Sequence, residues 1–123
     1  GAFWGTSIEK ITIPSRVEVI GKNAFYNSKN LHKIIFTHDS MLKIIGMRAF
    51  ENTSISSFPF PSNLIMINEK IFERCRNLQI VEIPENVFIQ VSLFITNTRD
   101  FHNLVLMIPS NPFVSYFENG LFI

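Results

Sequence analysis

The six letters IGKNAF at positions 20–25 return almost unchanged as IGMRAF at 45–50. Following the alanine and phenylalanine along the chain gives a ladder: Ala2-Phe3, Ala24-Phe25, Ala49-Phe50 and Ile71-Phe72, with the rings 22, 25 and 22 residues apart. Three residues after each ring stands Thr6, Ser28, Thr53 or Cys75, and then an apolar anchor, Ile8, Leu31, Ile55 or Leu78. Three further on lie Ile11, Ile34, Phe58 and Val81, and two beyond those Ile13, Phe36, Phe60 and Ile83. Proline follows at Pro14, Pro61 and Pro84, with Thr37 in that place once. An aliphatic then recurs (Val17, Leu42, Leu64, Val87), and three later Ile20, Ile45 and Ile67, where Gln90 breaks the column. Periods of 20–50 residues mark chains built from stacked units, none of which can bury its apolar face alone.

The spacing dictates the shape of one unit. In Leu78-Gln-Ile-Val81-Glu-Ile83 the apolar residues finish on the period of two that a short strand requires. Proline after the strand ends the ladder because it has no N–H to donate. The glycines Gly21 and Gly46 suit a turn of positive φ, and the segments from there to Phe25 or Phe50 are expected to form helical or 3-10 turns. Phe25, Phe50 and Phe72 should then stack as an aromatic column. The Thr/Ser/Cys residues should turn inward and bond nearby backbone, with Cys75 in a structural slot. Pro59 falls inside a strand position, so a local break or bulge is expected there.

Composition narrows the function. The chain has 123 residues, 46% of them hydrophobic, and thirteen phenylalanines, enough for one well-filled domain. Net charge is +1 with no basic run, which excludes the electrostatic footprint of a nucleic-acid binder. No apolar stretch approaches the roughly 20 residues that span a bilayer. The chain opens inside a repeat, so it is expected to be a fragment of a longer protein. One cysteine allows no internal disulfide. The histidines His32, His38 and His102 lack a second ligand three or four residues away, so no metal and no cofactor are expected. No G-x-S-x-G and no phosphate-cradling glycine loop occurs, and the chain is not expected to be an enzyme.

The columns resemble the BspA-type leucine-rich repeats, most closely in GTSIEKITIPSRVEVIGKNAF and in IFERCRNLQIVEIPENV at 71–87. The resemblance is good to about Val87, poor over Gln90–Asn103, and returns in LVLMIPSNPFVSYFENG, which looks like a closing repeat with Pro109 and Tyr116. It implies a leucine-rich-repeat solenoid, right-handed, with a concave parallel β-sheet and short helical or 3-10 turns on the convex side. Residues 1–123 would form a single solenoid domain, with about five repeats over 1–103 and a C-terminal capping repeat over 104–123. It also implies a non-enzymatic recognition or adhesion module at the cell surface or secreted, binding a host or extracellular matrix protein. A structural spacer and an intracellular interaction scaffold are the alternatives.

The candidate binding surface is the set of strand residues between the buried ones: Lys10 and Thr12, Lys33 and Ile35, Ser57 and Pro59, Ile80 and Glu82. Two lysines stand at one end, apolar atoms in the middle, and Glu82 at the other end. Arginine and aromatic anchors, the usual hot-spot residues, are missing from it. Asn52-Thr53-Ser54 satisfies the N-glycosylation pattern, making Asn52 a candidate modification site.

Overall fold

The computed structural model describes residues 1–84, 87–89 and 105–107. Among these described residues nine short strands follow one another: β1 Lys10–Ile13, β2 Val19–Ile20, β3 Lys33–Phe36, β4 Ile44–Ile45, β5 Ser57–Phe58, β6 Met66–Ile67, β7 Ile80–Glu82, β8 Phe88–Ile89 and β9 Val105–Met107. All pairings are parallel, and each joins equivalent positions of successive repeats. The strand expected before each proline, or before Thr37 in its place, forms β1, β3, β5 and β7. The aliphatic-x-x-isoleucine segment after it supplies a second ladder, β2-β4-β6-β8, which runs unbroken through four repeats.

The first ladder is broken once. It divides into β1-β3 and β5-β7-β9, and the gap lies between the repeats that hold Ile35 and Pro59. Lys33 donates its N–H to the carbonyl of Glu9. Parallel alternation hands the next donation to the residue two further on, Ile35 in that repeat and Pro59 in the following one. Proline has nothing to donate, so the rung is lost. The chain bends there instead, with Phe60 donating to the carbonyl of Phe58 (3.1 Å) across Pro59, a three-residue turn. The expected break is present.

The opposite side of each repeat is built from consecutive reverse turns, and no helix occurs among the described residues. This replaces the expected helical or 3-10 turns. Ala24 donates to Gly21, Tyr26 to Asn23 and Ser28 to Phe25, closing three overlapping turns. The intervening donors Asn23, Phe25 and Asn27 reach out to the carbonyls of Met47, Ala49 and Glu51 in the next repeat. Arg48, Phe50 and Asn52 repeat the pattern onto Glu69, Ile71 and Glu73. Beyond its first turn a helix spends each N–H within its own segment. Here alternate ones are spent on the neighbour, which ties the repeats together on this side as the strands do on the other.

That alternation needs two residues per repeat at positive φ. They are Asn23, Arg48 and Lys70 in one column and Asn27, Asn52 and Arg74 in the other, with φ between 58° and 61°, and Gly5 at 65° heads the second. Gly21 and Gly46, expected at positive φ, do not adopt it. Gly46 is required by contact: a Cβ there would lie 2.5 Å from the backbone N of Lys22 and 2.7 Å from the carbonyl carbon of Gly21. Around Gly21 the same atom would meet nothing within 4 Å.

The inward column residues make one continuous core. Leu31, Leu42, Ile45, Ile55, Ile67, Leu78 and Val81 are fully covered, with Phe50 and Phe72 among them. Phe3, Phe25 and Phe50 stack nearly parallel at 5.2 and 5.1 Å. Above Phe50 the stack changes character, because Phe58 stands edge-on to both Phe50 (4.9 Å) and Phe72 (5.1 Å). The expected column therefore holds as parallel stacking as far as Phe50 and is joined to Phe72 through Phe58.

Thr37 and Leu42 are five residues apart where Pro14 and Val17 are three, and the extra two residues are absorbed in a turn in which Ser40 donates its N–H to Thr37 (3.0 Å) and its buried hydroxyl accepts from Leu42 N–H. The poorly matching stretch Gln90–Asn103, with His102, and the capping repeat over 104–123, with Pro109 and Tyr116, lie outside the described residues apart from β9.

Candidate binding faces

Every residue of the candidate face is exposed: Lys10, Thr12, Lys33, Ile35, Ser57, Ile80 and Glu82, with Pro59 beside them. The register puts Lys10 opposite Lys33, Thr12 opposite Ile35, and Ser57 opposite Ile80, while Glu82 is paired with Met107 at the backbone. The residues do not form one uninterrupted row. The gap at Pro59 separates a patch of Lys10, Thr12, Lys33 and Ile35 from a second patch of Ser57, Ile80 and Glu82. Among the described residues neither Lys10 nor Lys33 has an ion-pair partner. Like charges placed directly opposite on paired strands cost stability rather than add to it.

The second ladder carries a row that the reading of the sequence missed. Val19, Ile44, Met66 and Phe88 are in register across all four strands. Val19 is 55% exposed, and Ile44 and Met66 are half-buried. Ile65, 54% exposed, adjoins the row. On the same ladder Glu18 and Lys43 form an ion pair at 2.8 Å, and the Lys43 ammonium, donating to its carboxylate, holds Glu18 below the usual carboxylate range. A signal for this row was present in the apolar doublets Val19-Ile20, Ile44-Ile45, Met66-Ile67 and Phe88-Ile89. In a strand of period two, one member of a doublet must face outward when the other faces the core.

The inward polar column behaves as its residue types require. Ser28 donates its hydroxyl to the Phe3 carbonyl at 2.7 Å, Thr53 to the Phe50 carbonyl at 2.9 Å, and the Cys75 thiol to that same Phe50 carbonyl at 3.0 Å. Ser28 and Cys75 are fully buried and Thr53 is 4% exposed. Burial pushes the Cys75 thiol up to about 11, so the thiolate that would react is scarce at neutral pH. Cys75 fills a structural slot.

Asn52 sits at φ 58° on the turn side, and its Nδ2 donates to Asn27 Oδ1 at 2.7 Å. One of the two N–H groups on the nitrogen that a glycan would occupy thus donates across repeats. Next to it Glu51 is nearly buried (4% exposed), with Arg48 Nε 3.5 Å from its carboxylate. Desolvation, followed by the charge of Glu73, raises its pKa, against the opposing pull of Arg48, Arg74 and Lys70. His32 is exposed, and its ring Nδ1 lies 3.1 Å from the carbonyl of Asn30. Among the described residues no three His, Cys, Asp or Glu side chains are grouped to hold a metal ion. No helix among the described residues is long and apolar enough to cross a membrane.

The arrangement therefore offers shaped outward surfaces on short parallel strands, with the hydroxyls and thiol of the Ser28, Thr53 and Cys75 column spent on backbone. A family model described as BspA type Leucine rich repeat region matches residues 1–119 in six copies. No curated protein matches the chain, and no solved structure matches it.

Proposed function

Since the chain belongs to the BspA-type leucine-rich repeat family, we propose that it is a non-enzymatic protein-recognition module, displayed at the cell surface and used in adhesion to a host or matrix protein. The repeats wind as a right-handed solenoid, the β1-β3 and β5-β7-β9 ladders line its concave side, and the partner lies across them. The observation that carries this reading is the register of exposed residues from different repeats. Lys10 stands beside Lys33, Thr12 beside Ile35 and Ser57 beside Ile80. Residues some 23 positions apart in sequence become neighbours at the roughly 4.8 Å spacing of paired strands. Such a surface is held by the core beneath it, so little conformational entropy is lost when a partner binds.

The test is binding of the purified protein to immobilised matrix proteins at micromolar concentration, wild type against Lys10→Glu, Lys33→Glu and Ile80→Asp. Binding weakened by these changes but not by Lys22→Glu or Lys29→Glu, exposed on the turn side, is the expected result. Absence of binding, or equal loss from both sides, would remove the recognition reading and leave a structural spacer.

A further inference from the structure

We propose that the Lys10–Lys33 pair is a carboxylate clamp, and that the ligand it selects is an extended peptide segment with an acidic residue followed two positions later by an aliphatic one. This rests on the recognition reading above and specifies the chemistry of its partner. Three observations lead to it. Lys10 and Lys33 are directly opposite on paired strands, both exposed, and neither is ion-paired among the described residues. Two ammonium groups on strands about 4.8 Å apart can each reach one oxygen of a single carboxylate, which relieves their mutual repulsion and supplies two charge-assisted hydrogen bonds. Two residues further along the same strands, the register sets Thr12 opposite Ile35, whose side chain is 36% exposed.

An extended segment running with these strands advances roughly 6.8 Å over two residues, and its alternate side chains face one way. An acid over the lysines therefore brings an aliphatic over Ile35. Among the described residues the hydroxyl of the exposed Thr12 beside it has no partner, so it can bond the segment's backbone. The chemistry favours a peptide over a polyanion. A nucleic acid or sulfated glycan is held by a long positive track, whereas the far patch of this face ends in the exposed Glu82 and the chain has net charge +1.

Selection from a random peptide display library against the full chain tests the clamp. Recovered peptides should be enriched in acid-x-aliphatic triplets. Synthetic versions should lose affinity tenfold or more on Lys10→Glu or Lys33→Glu and severalfold on Ile35→Asp, while Lys22→Glu leaves it unchanged. Removing the neighbouring acid by Glu9→Gln should raise affinity. Circular dichroism confirms that each variant is folded. Peptides without acids whose binding depends on Ser57 or Ile80 would overturn the clamp but keep the recognition reading. Recovery of no peptide would overturn both, and so would lysine-dependent binding of heparin without any peptide.

Discussion

The first repeat and the third carry the same sequence columns, yet the structure treats them differently. Phe3 is 40% exposed and its counterpart Phe50 is fully buried. Ile8, Ile11 and Val17 are only partly covered, while Ile55, Phe58 and Leu64 in the same columns are at most 4% exposed. The residue types at the paired positions are alike. What differs is the number of described neighbours, one on the second repeat for Phe3 and one on either side for Phe50. A repeat's stability is thus mostly an interface property, the sum of what it gives and receives across two flat contacts. The same substitution should cost unequal amounts at equivalent positions.

The largest expected contrast is at the rings. Phe50→Ala should destabilise by about 3–5 kcal/mol in denaturant unfolding, since it opens a cavity between Phe25 and Phe58. Phe3→Ala should cost no more than about 1–2 kcal/mol, because part of that surface is already in water. Equal losses would mean that the repeats are not coupled as the stacking requires.

Next in size is the glycine pair. Gly46→Ala pushes a methyl into the Lys22 backbone and should cost about 1–3 kcal/mol through overpacking. Gly21→Ala meets open space and should lie within roughly 0.5 kcal/mol of wild type, or slightly above it. A similar cost at both would restore a conformational role for these glycines.

A gain is expected at Arg74, which holds φ 61° where earlier repeats place Gly5, Asn27 and Asn52. A bulky side chain in that left-handed region costs roughly 1–2 kcal/mol, and asparagine tolerates it better. Arg74→Asn should therefore raise stability by about 1 kcal/mol and allow the Asn52–Asn27 bond to be continued by one more rung. A loss of stability would sink the strain argument at that column.

The smallest effect belongs to Glu51. Its folded pKa is raised by desolvation and by Glu73, so the native state favours the protonated form more than the unfolded chain does. The associated stabilisation is complete below the unfolded carboxylate pKa, near 4.3, and is lost as pH rises through the higher folded value. Glu51→Gln should accordingly be slightly more stable than wild type at pH 7, with the difference closing on acidification. Chemical unfolding at pH 7 and pH 4 checks both the sign and the closure. An advantage for the variant that grows toward acid would contradict the burial argument.

Some features were legible in the chain because they need only composition and period. The parallel strands before each proline, the buried columns, the inward Ser28, Thr53 and Cys75, and the break at Pro59 each follow from one residue property at one spacing. The turn side was harder. Asn23 and Arg48 share a backbone conformation that their side chains do not announce, and the N–H groups of Phe25 and Asn27 leave their own repeat for the next. The outward row Val19–Ile44–Met66 was visible as apolar doublets, but its continuity across four strands depends on a ladder whose register no single repeat contains.

The sequence by itself determined the period, the residues that face inward, and the point where the first ladder fails. Those are local matters, set by side-chain size, polarity and the missing N–H of Pro59. Only the tertiary structure decided that Gly46 answers to a neighbouring backbone, that the N–H of Phe25 is spent on Ala49 of the next repeat, and that Phe58 intervenes between Phe50 and Phe72. Each of these depends on atoms contributed by a different repeat. Physically, a repeat specifies its own shape, while the contact between two repeats exists only after both have folded.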